Sequence, residues 1–422
     1  MRNWNDVPFV DLLVESRDGE WGKGEPEVGH TEAVLIRGTD FAGINEPDQN
    51  LPRRWIKNHL VERKKLQPGD IVFEMAGGTS TQSTGRSALL KRAFFDNNSP
   101  LPAVCASFSR HLRIDQSKFC SEFVYYLLQS LHTSGYMGVF HIQHTGVARF
   151  QYSSFKKHTV LKIPNLHHQR KIAAILTAYD DLIEVNKRRI ALLENMADEI
   201  YREWFVRLRF PGYQNTGFTK GVPKGWDFVP ILEASRIQYG KNLPTSQLIS
   251  NGEFPVYGAA KIIGRYSKFT HDHRTIALGC RGSVGEVKIT HPKSYITNNS
   301  FSVEPLEKTG FFWLYHTLKL RGCKDVIGGS AQPQITLEGI KSIKLLMADE
   351  VLRDNFEELC EPIYGLKWHL DNQLEVLTKT RDLLLPRLIT GKLSVEDLDI
   401  QFPPSMQEAA ANQESQPEAR HA

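Results

Sequence analysis

The segment RIALLENMADEIYREWFVRL at 189–208 returns, in spacing though not in letters, as QLEVLTKTRDLLLPRLITGKL at 373–393. Sliding the chain by 184 residues lays Ile190 on Leu374, Leu193 on Leu377, Asp198 on Asp382, Ile200 on Leu384 and Trp204 on Leu388. In both copies the apolar positions recur every three and four residues, which is the stripe of a helix that buries one face against another helix. A register shifted by two residues lays Gly146 on Gly328, Phe155 on Leu337, Leu161 on Ile343 and Ile163 on Leu345. Any two amphipathic helices share apolar spacing. A glycine-containing loop, a short apolar strand and a helix in the same order twice argue instead for one duplicated unit.

Each unit reads as a mixed globular part followed by a helical arm. Strands are expected at 34–43 and 66–78 in the first unit and around the glycine-rich turn of 274–290 in the second. The fold class is therefore α+β: two tandem mixed α/β domains separated by two long helices that pair as an antiparallel coiled coil, with a pseudo-twofold internal repeat. The boundaries fall at 1–165 for the first domain, 166–209 for the first arm and 210–225 for a Gly- and Pro-rich linker. The second domain is expected at 226–348, the second arm at 349–395 and an aperiodic tail, expected to be disordered, at 396–422. Pro386 and Gly391 are expected to end the second arm. Asn186, Lys367 and Arg381 fall on or beside the apolar stripe, where polar residues fix register.

Composition narrows the class. A chain of 422 residues with 41% apolar and 24% charged residues divides into several globular cores. Five cysteines without a CxxC pair suggest neither a zinc site nor a disulfide framework, and a cytoplasmic location is expected. No apolar run approaches the roughly 18 residues of a membrane span. The net charge of +4 is too mild to imply nucleic acid by itself, so any DNA-binding role has to come from local distribution.

The order IRGTDF, GDIVFEMAGGT, an amphipathic arm, VPKGWDFVPILE, TIALGCRGSVGEV, ITNNSFSVEP, AQPQITLEGIKSIKL and LTKTRDLLLPRLITGKL resembles the specificity subunit of type I DNA restriction-modification systems. The resemblance covers nearly the whole chain. It is most specific in Pro223-Lys224-Gly225-Trp226, the RGSVG loop at 281–285 and the RDLLLPRLITGKL ending. It implies two target-recognition domains, each reading half of a split site in double-stranded DNA. It also implies arms that dock two methyltransferase subunits and, through them, restriction/translocase subunits, without catalysis in this chain. S-adenosylmethionine would belong to the methyltransferase partners, and ATP and magnesium to the restriction partners. The first half departs from the pattern by lacking a clear P-x-G-W start.

A stand-alone or fused DNA-modifying enzyme, methyltransferase or nuclease, is the alternative. An amino-methyltransferase needs a polar residue, two prolines and an aromatic around a flipped base, but Phe402-Pro403-Pro404-Ser405 has the wrong order. Asp272 with Glu286-Val287-Lys288 imitates a nuclease spacing on what reads as an alternating strand. Gly212 to Gly217 imitates a phosphate loop, with Phe218 where lysine is needed. His141, His144, His271 and His273 lack cysteine or carboxylate partners at ligand spacing.

DNA reading needs Arg, Lys, Asn and Gln for base edges, with Ser or bare amides for phosphates. In the second domain these gather at Lys241, Asn242, Lys261, Arg265, Arg281, Ser283, Asn298, Gln332 and Gln334, with Arg281 foremost. In the first they are Arg53, Arg54 and Lys57, with Gln82 and Arg86 in the loop that matches RGSVG by order. Paired arms of about 25 to 35 residues, roughly 40 to 50 Å long, would hold two readers about one DNA turn, roughly 34 Å, apart. Trp204, Phe205, Leu383, Leu384 and Leu388 are candidate seats for the methyltransferase subunits.

Overall fold

In the computed structural model, described over residues 4–47, 49–77, 83–143, 148–306, 309–329 and 332–406, the chain divides into two compact units. One combines 1–185 with 374–422, and the other spans 186–373.

Among the described residues the units repeat one another sheet for sheet, apart from a hairpin of Phe218–Thr219 with Val222–Pro223 in the second. The first holds a four-stranded sheet in the order Leu13–Asp18, Ser109–Ile114, Ile71–Glu74, Ser87–Leu89, and the second the same sheet as Ser235–Tyr239, Ser300–Pro305, Ile276–Gly279, Val287–Ile289. A three-stranded sheet accompanies each. His30–Ile36 lies between antiparallel Arg53–Lys57 and parallel Ala103–Cys105, as Phe254–Gly258 lies between antiparallel Lys261–Tyr266 and parallel Tyr295–Ile296. A parallel neighbour in an otherwise antiparallel sheet requires a long crossover, and both units make it at the same place.

The opening strand also repeats. Trp4–Pro8 pairs with Val160–Pro164 as Asp227–Pro230 pairs with Lys344–Met347. The first unit thus does carry a counterpart of the second unit's start: Trp4-Asn5-Asp6-Val7-Pro8 matches Trp226-Asp227-Phe228-Val229-Pro230. Each tryptophan seats at the end of an arm. Trp226 stacks on Phe210 at 5.3 Å and lies 5.9 Å from Phe205. Trp4 lies so close to Gly391 that a Cβ there would sit 3.1 Å from the indole.

Inside the expected arms lie α-helices at Leu166–Tyr201 (36 residues) and Glu350–Ile389 (40 residues), longer than the helices anticipated for the pair. They run antiparallel within each unit. In the first, Arg381 Nη1 donates to Asp180 Oδ1 at 2.6 Å, and Ile172, Ala173 and Leu176 share a core with Leu385, Leu388 and Ile389. In the second, Asn186 Nδ2 donates to Gln373 Oε1 at 3.3 Å, Lys367 meets Glu194 at 3.4 Å, and Tyr201, Trp204 and Phe205 surround Phe356. The three polar residues expected to fix register all take partners across the helix pair. Fully burying a ring such as that of Phe356 contributes about 2 to 3 kcal/mol.

Two expectations are corrected. Pro386 does not stop the second helix, which continues through it and through Pro362 to Ile389; Gly391, at φ +69°, follows the end. Nor is the start of the tail disordered: Ile400, Phe402 and Met406 pack on the first core, and Ser405 Oγ donates to Asp181 at 2.6 Å.

Each domain's long helix hangs on an arm by its N-terminus. Glu357, on the second arm, accepts from the amides of Phe312 (3.0 Å) and Trp313 (2.8 Å). Gln169, on the first, accepts from Cys120 N at 2.9 Å, at the start of Ser121–Thr133. Both satisfy amides that open a helix without an internal partner.

Candidate nucleic-acid interface

One rim of the second unit collects the loops that sequence singled out. Lys241 N donates to Ile296 O at 2.9 Å and Asn298 N to Lys241 O at 3.2 Å, joining the 240–242 loop to 297–299. Cys280 N and Arg281 N both donate to Asn299 O, at 2.9 and 3.2 Å, and Ile335 N donates to Cys280 O at 2.9 Å. Asn299, Arg281 and Gln334 therefore stand side by side on adjoining backbone segments. Arg281 Nε approaches Gln334 Oε1 at 3.4 Å, and the Arg281 side chain is exposed. Gly282, at φ +79°, turns the chain directly after it.

Other expected readers vary in freedom. Lys241, Asn242 and Gln332 are exposed, and Ser283 and Asn298 are half-buried in the same loops. Lys261 is exposed and pairs with Glu286 at 3.2 Å. Arg265 is corrected: its guanidinium closes the preceding turn by donating to Gly252 O at 2.7 Å and Glu253 O at 2.6 Å, so those donors are spent on backbone.

The first unit builds the same rim with other side chains. Gly19 N donates to Ser109 O and Glu20 N to Cys105 O, as Gly240 N does to Ser300 O and Lys241 N to Ile296 O. Met75 N and Ala76 N donate to Phe108 O, as Cys280 N and Arg281 N do to Asn299 O. Phe150 N donates to Met75 O, as Ile335 N does to Cys280 O. Ala76 pairs with Arg149 as Arg281 pairs with Gln334. The counterpart of Arg281 is thus Ala76, and those of Asn299 and Gln334 are Phe108 and Arg149.

Arg86 is accordingly corrected. Glu74 N donates to Arg86 O as Gly279 N does to Glu286 O, which puts Arg86 on the far side of the loop, opposite Glu286. Its guanidinium grips the carboxylate of Glu74, which is 1% exposed, and donates to Gly38 O at 3.1 Å. The hydrogen bonds to Glu74 raise its pKa further. Such an arginine holds the fold together and has few donors left for a base. Gln82 lies outside the described residues.

Arg53, Arg54 and Lys57 lie on Arg53–Lys57, the strand equivalent to the one that carries Lys261 and Arg265. Arg53 and Lys57 are exposed, while the Arg54 guanidinium lies over Trp21 at 4.9 Å. Phe108, Arg149 and Trp21 were missed by the sequence reading. The Trp-x-x-Val-Pro start shared by the two units is the signal that would have aligned them.

The proposed partner seats also divide. Phe205 and Leu388 are buried in the cores of their own units, so they are not available as seats; Trp204 and Leu384 are half-buried, and Leu383 is 65% exposed. The arms carry further exposed apolar residues at the 184-residue repeat: Leu182 with Leu366, and Leu192 with Val376.

Among the described residues no group of three or more His, Cys, Asp or Glu is placed to hold a metal ion. Asp272 pairs with His273, and Glu286 with Lys261. The five cysteines are free and buried, and no described helix is long and apolar enough to cross a membrane.

Fold and rim together define a tandem recognition scaffold, one domain plan used twice with different side chains at the same rim. Comparison with known proteins places it. The chain belongs to the family described as the type I restriction modification DNA specificity domain, whose profile matches residues 48–195 and 223–347. It is 24% identical over 309 residues to the type I restriction enzyme MjaIX specificity subunit of Methanocaldococcus jannaschii, covering 66% of this chain and 70% of that one. It is 23% identical to the HindI specificity subunit of Haemophilus influenzae, over 78% of this chain and 88% of the relative. Among solved structures, a type I restriction-modification S subunit from M. genitalium has the same fold at a TM-score of 0.57 and 18% identity, covering 92% of this chain and 96% of that one.

Proposed function

We propose that this chain is the DNA sequence-recognition subunit of a type I restriction-modification assembly, acting in the cytoplasm without catalysis of its own. Each unit reads one half of a bipartite site in double-stranded DNA, and the paired arms set the length of the stretch left unread between the halves. The observation that carries this reading is the rim built twice: equivalent backbone hydrogen bonds present different side chains, which is what reading two different half-sequences requires. Two methyltransferase subunits dock on the exposed apolar residues of the arms, Leu182, Leu192, Leu366, Val376 and Leu383 among them. They bring S-adenosylmethionine, and restriction/translocase subunits bring ATP and magnesium.

The test is methylation by the chain alone and in complex. With labelled S-adenosylmethionine, the purified chain transfers no methyl group to DNA. Co-purified with its methyltransferase, it directs methylation to a split sequence recoverable from a pool of random duplexes. Methyl transfer by the isolated chain would overturn the assignment in favour of a stand-alone modifying enzyme.

A further inference from the structure

Resting on the function just proposed, we infer that the two units read DNA by different chemistry. The second uses hydrogen bonds from its rim, while the first recognises the 5-methyl group of a thymine through Phe108, with Arg149 near it on a base edge.

The argument starts from the three equivalent positions. In the second unit they are Asn299, Arg281 and Gln334, all types that hydrogen-bond to base edges in the major groove. In the first, the same backbone hydrogen bonds place Phe108, Ala76 and Arg149 there, of which Ala76 is buried and Phe108 and Arg149 are exposed. Phenylalanine offers a base no side-chain hydrogen bond. What it can recognise in the major groove is the thymine methyl, the one apolar group displayed there.

Phe108 is not a core residue that happens to lie near the surface. It is 61% exposed, while its neighbours Ala106 and Ser109 are buried. The turn that carries it is fixed by three hydrogen bonds: Ser109 N to Ala106 O at 2.8 Å, Met75 N to Phe108 O at 2.8 Å and Ala76 N to Phe108 O at 3.3 Å. A large apolar side chain held in water on a rigid turn costs free energy in the isolated chain, and a ligand that covers it recovers that cost. Arg149, on the other side of Ala76, is exposed and makes no ion pair among the described residues. Its guanidinium is left to reach a base edge.

The test uses the complex of this chain with its methyltransferase. The split site is first selected from random duplexes, and each thymine of the first half-site is then replaced singly by uracil, which removes only the methyl group. For the wild-type complex, one replacement lowers affinity about three- to fivefold, the worth of one buried methyl. In the Phe108→Ala complex that replacement costs nothing more, because the contact is already gone. Preference at the other positions of the first half-site is unchanged in the same variant, which shows that the first unit has folded. Arg149→Ala relaxes preference at a neighbouring position of the first half-site only.

The inference is overturned if the first half-site contains no thymine, if no uracil replacement matters, or if Phe108→Ala keeps the full wild-type penalty. A wild-type complex that selects no split site at all overturns the function proposed above, and this inference with it.

Discussion

Gly19 and Gly240 occupy one and the same place in the two units. A Cβ on Gly19 would lie 2.1 Å from Ala106 O and 2.3 Å from Cys105 O, and a Cβ on Gly240 would lie 2.3 Å from Thr297 O and 2.5 Å from Ile296 O. In both, a strand end runs so close over the turn between its neighbours that only hydrogen fits. The obstacle is backbone, which cannot rotate aside, so the close approach is what makes both positions glycine.

Gly240→Ala is therefore expected to push the 240–242 loop off the 296–299 turn and to cost about 2 kcal/mol or more of stability in the second unit. Selection from random duplexes by the complex should show a blurred second half-site and an intact first. Gly19→Ala should do the reverse. Equal damage to both half-sites by either variant would count against two separately folded readers.

Arg86→Ala should act on stability before it acts on DNA. Removing the guanidinium leaves the buried Glu74 carboxylate without its charged partner, and breaking such a pair from one side costs about 3 kcal/mol. Thermal unfolding measures this. Glu74→Gln combined with Arg86→Ala should recover part of the loss, because the stranded charge is gone. A single variant as stable as the wild type would show that the pair matters little to the fold.

The repeat of the arms was legible in the sequence because a helical stripe survives substitution: only the period has to persist, and the 184-residue offset kept it. The repeat of the globular parts was less legible. A bulge between Leu13 and Glu15 shifts the first strand by one residue, and helices at Asn58–Lys64 and Arg92–Asn98 interrupt only the first unit. Eleven residues separate Glu74 from Arg86 where six separate Gly279 from Glu286, so matching the two segments by order put Arg86 among the readers when the backbone gives it the place of Glu286 and gives Ala76 that of Arg281. Charge misled for a related reason. Sequence displays an arginine but not the Glu74 or the Gly252 carbonyl that occupies it, and it gives no reason to look at an exposed Phe108.

Arg281 distinguishes base reading from charge alone. If its fork reads a base, Arg281→Lys, which keeps the charge but loses the bidentate geometry, should cost about 1 to 3 kcal/mol at the cognate site and little on unrelated DNA. Titrations at two salt concentrations separate the possibilities. A small loss, alike across sequences and with the salt slope unchanged, would mean that Arg281 only holds a phosphate, which lysine also does.

The second unit also carries a pH dependence in its core. His316 is fully buried, with its Nδ1 2.9 Å from Asp198 Oδ1 and its Nε2 3.0 Å from the Tyr364 hydroxyl; Lys319, Glu194, Tyr201 and Tyr315 lie around them. Burial holds the imidazole below its ordinary range, against the pull of Asp198, and burial does the same to His111 and His271. A folded pKa below the unfolded value of about 6.5 contributes stability that is present above that value. It is lost as pH falls toward the folded pKa, because the unfolded chain takes up the proton first. Glu357 has the opposite sign, since burial raises its carboxyl, but it acts mainly nearer the ordinary glutamate range of about 4.3. Asp198 is pushed up by burial and more than compensated by His316 and Lys319, so its contribution is lost only at lower pH still. The melting temperature should therefore fall between about pH 7 and pH 5.5, and His316→Gln should flatten that fall in calorimetry while lowering stability at pH 7. A melting temperature flat across this window in the wild type would mean that these histidines titrate alike in the folded and unfolded chain.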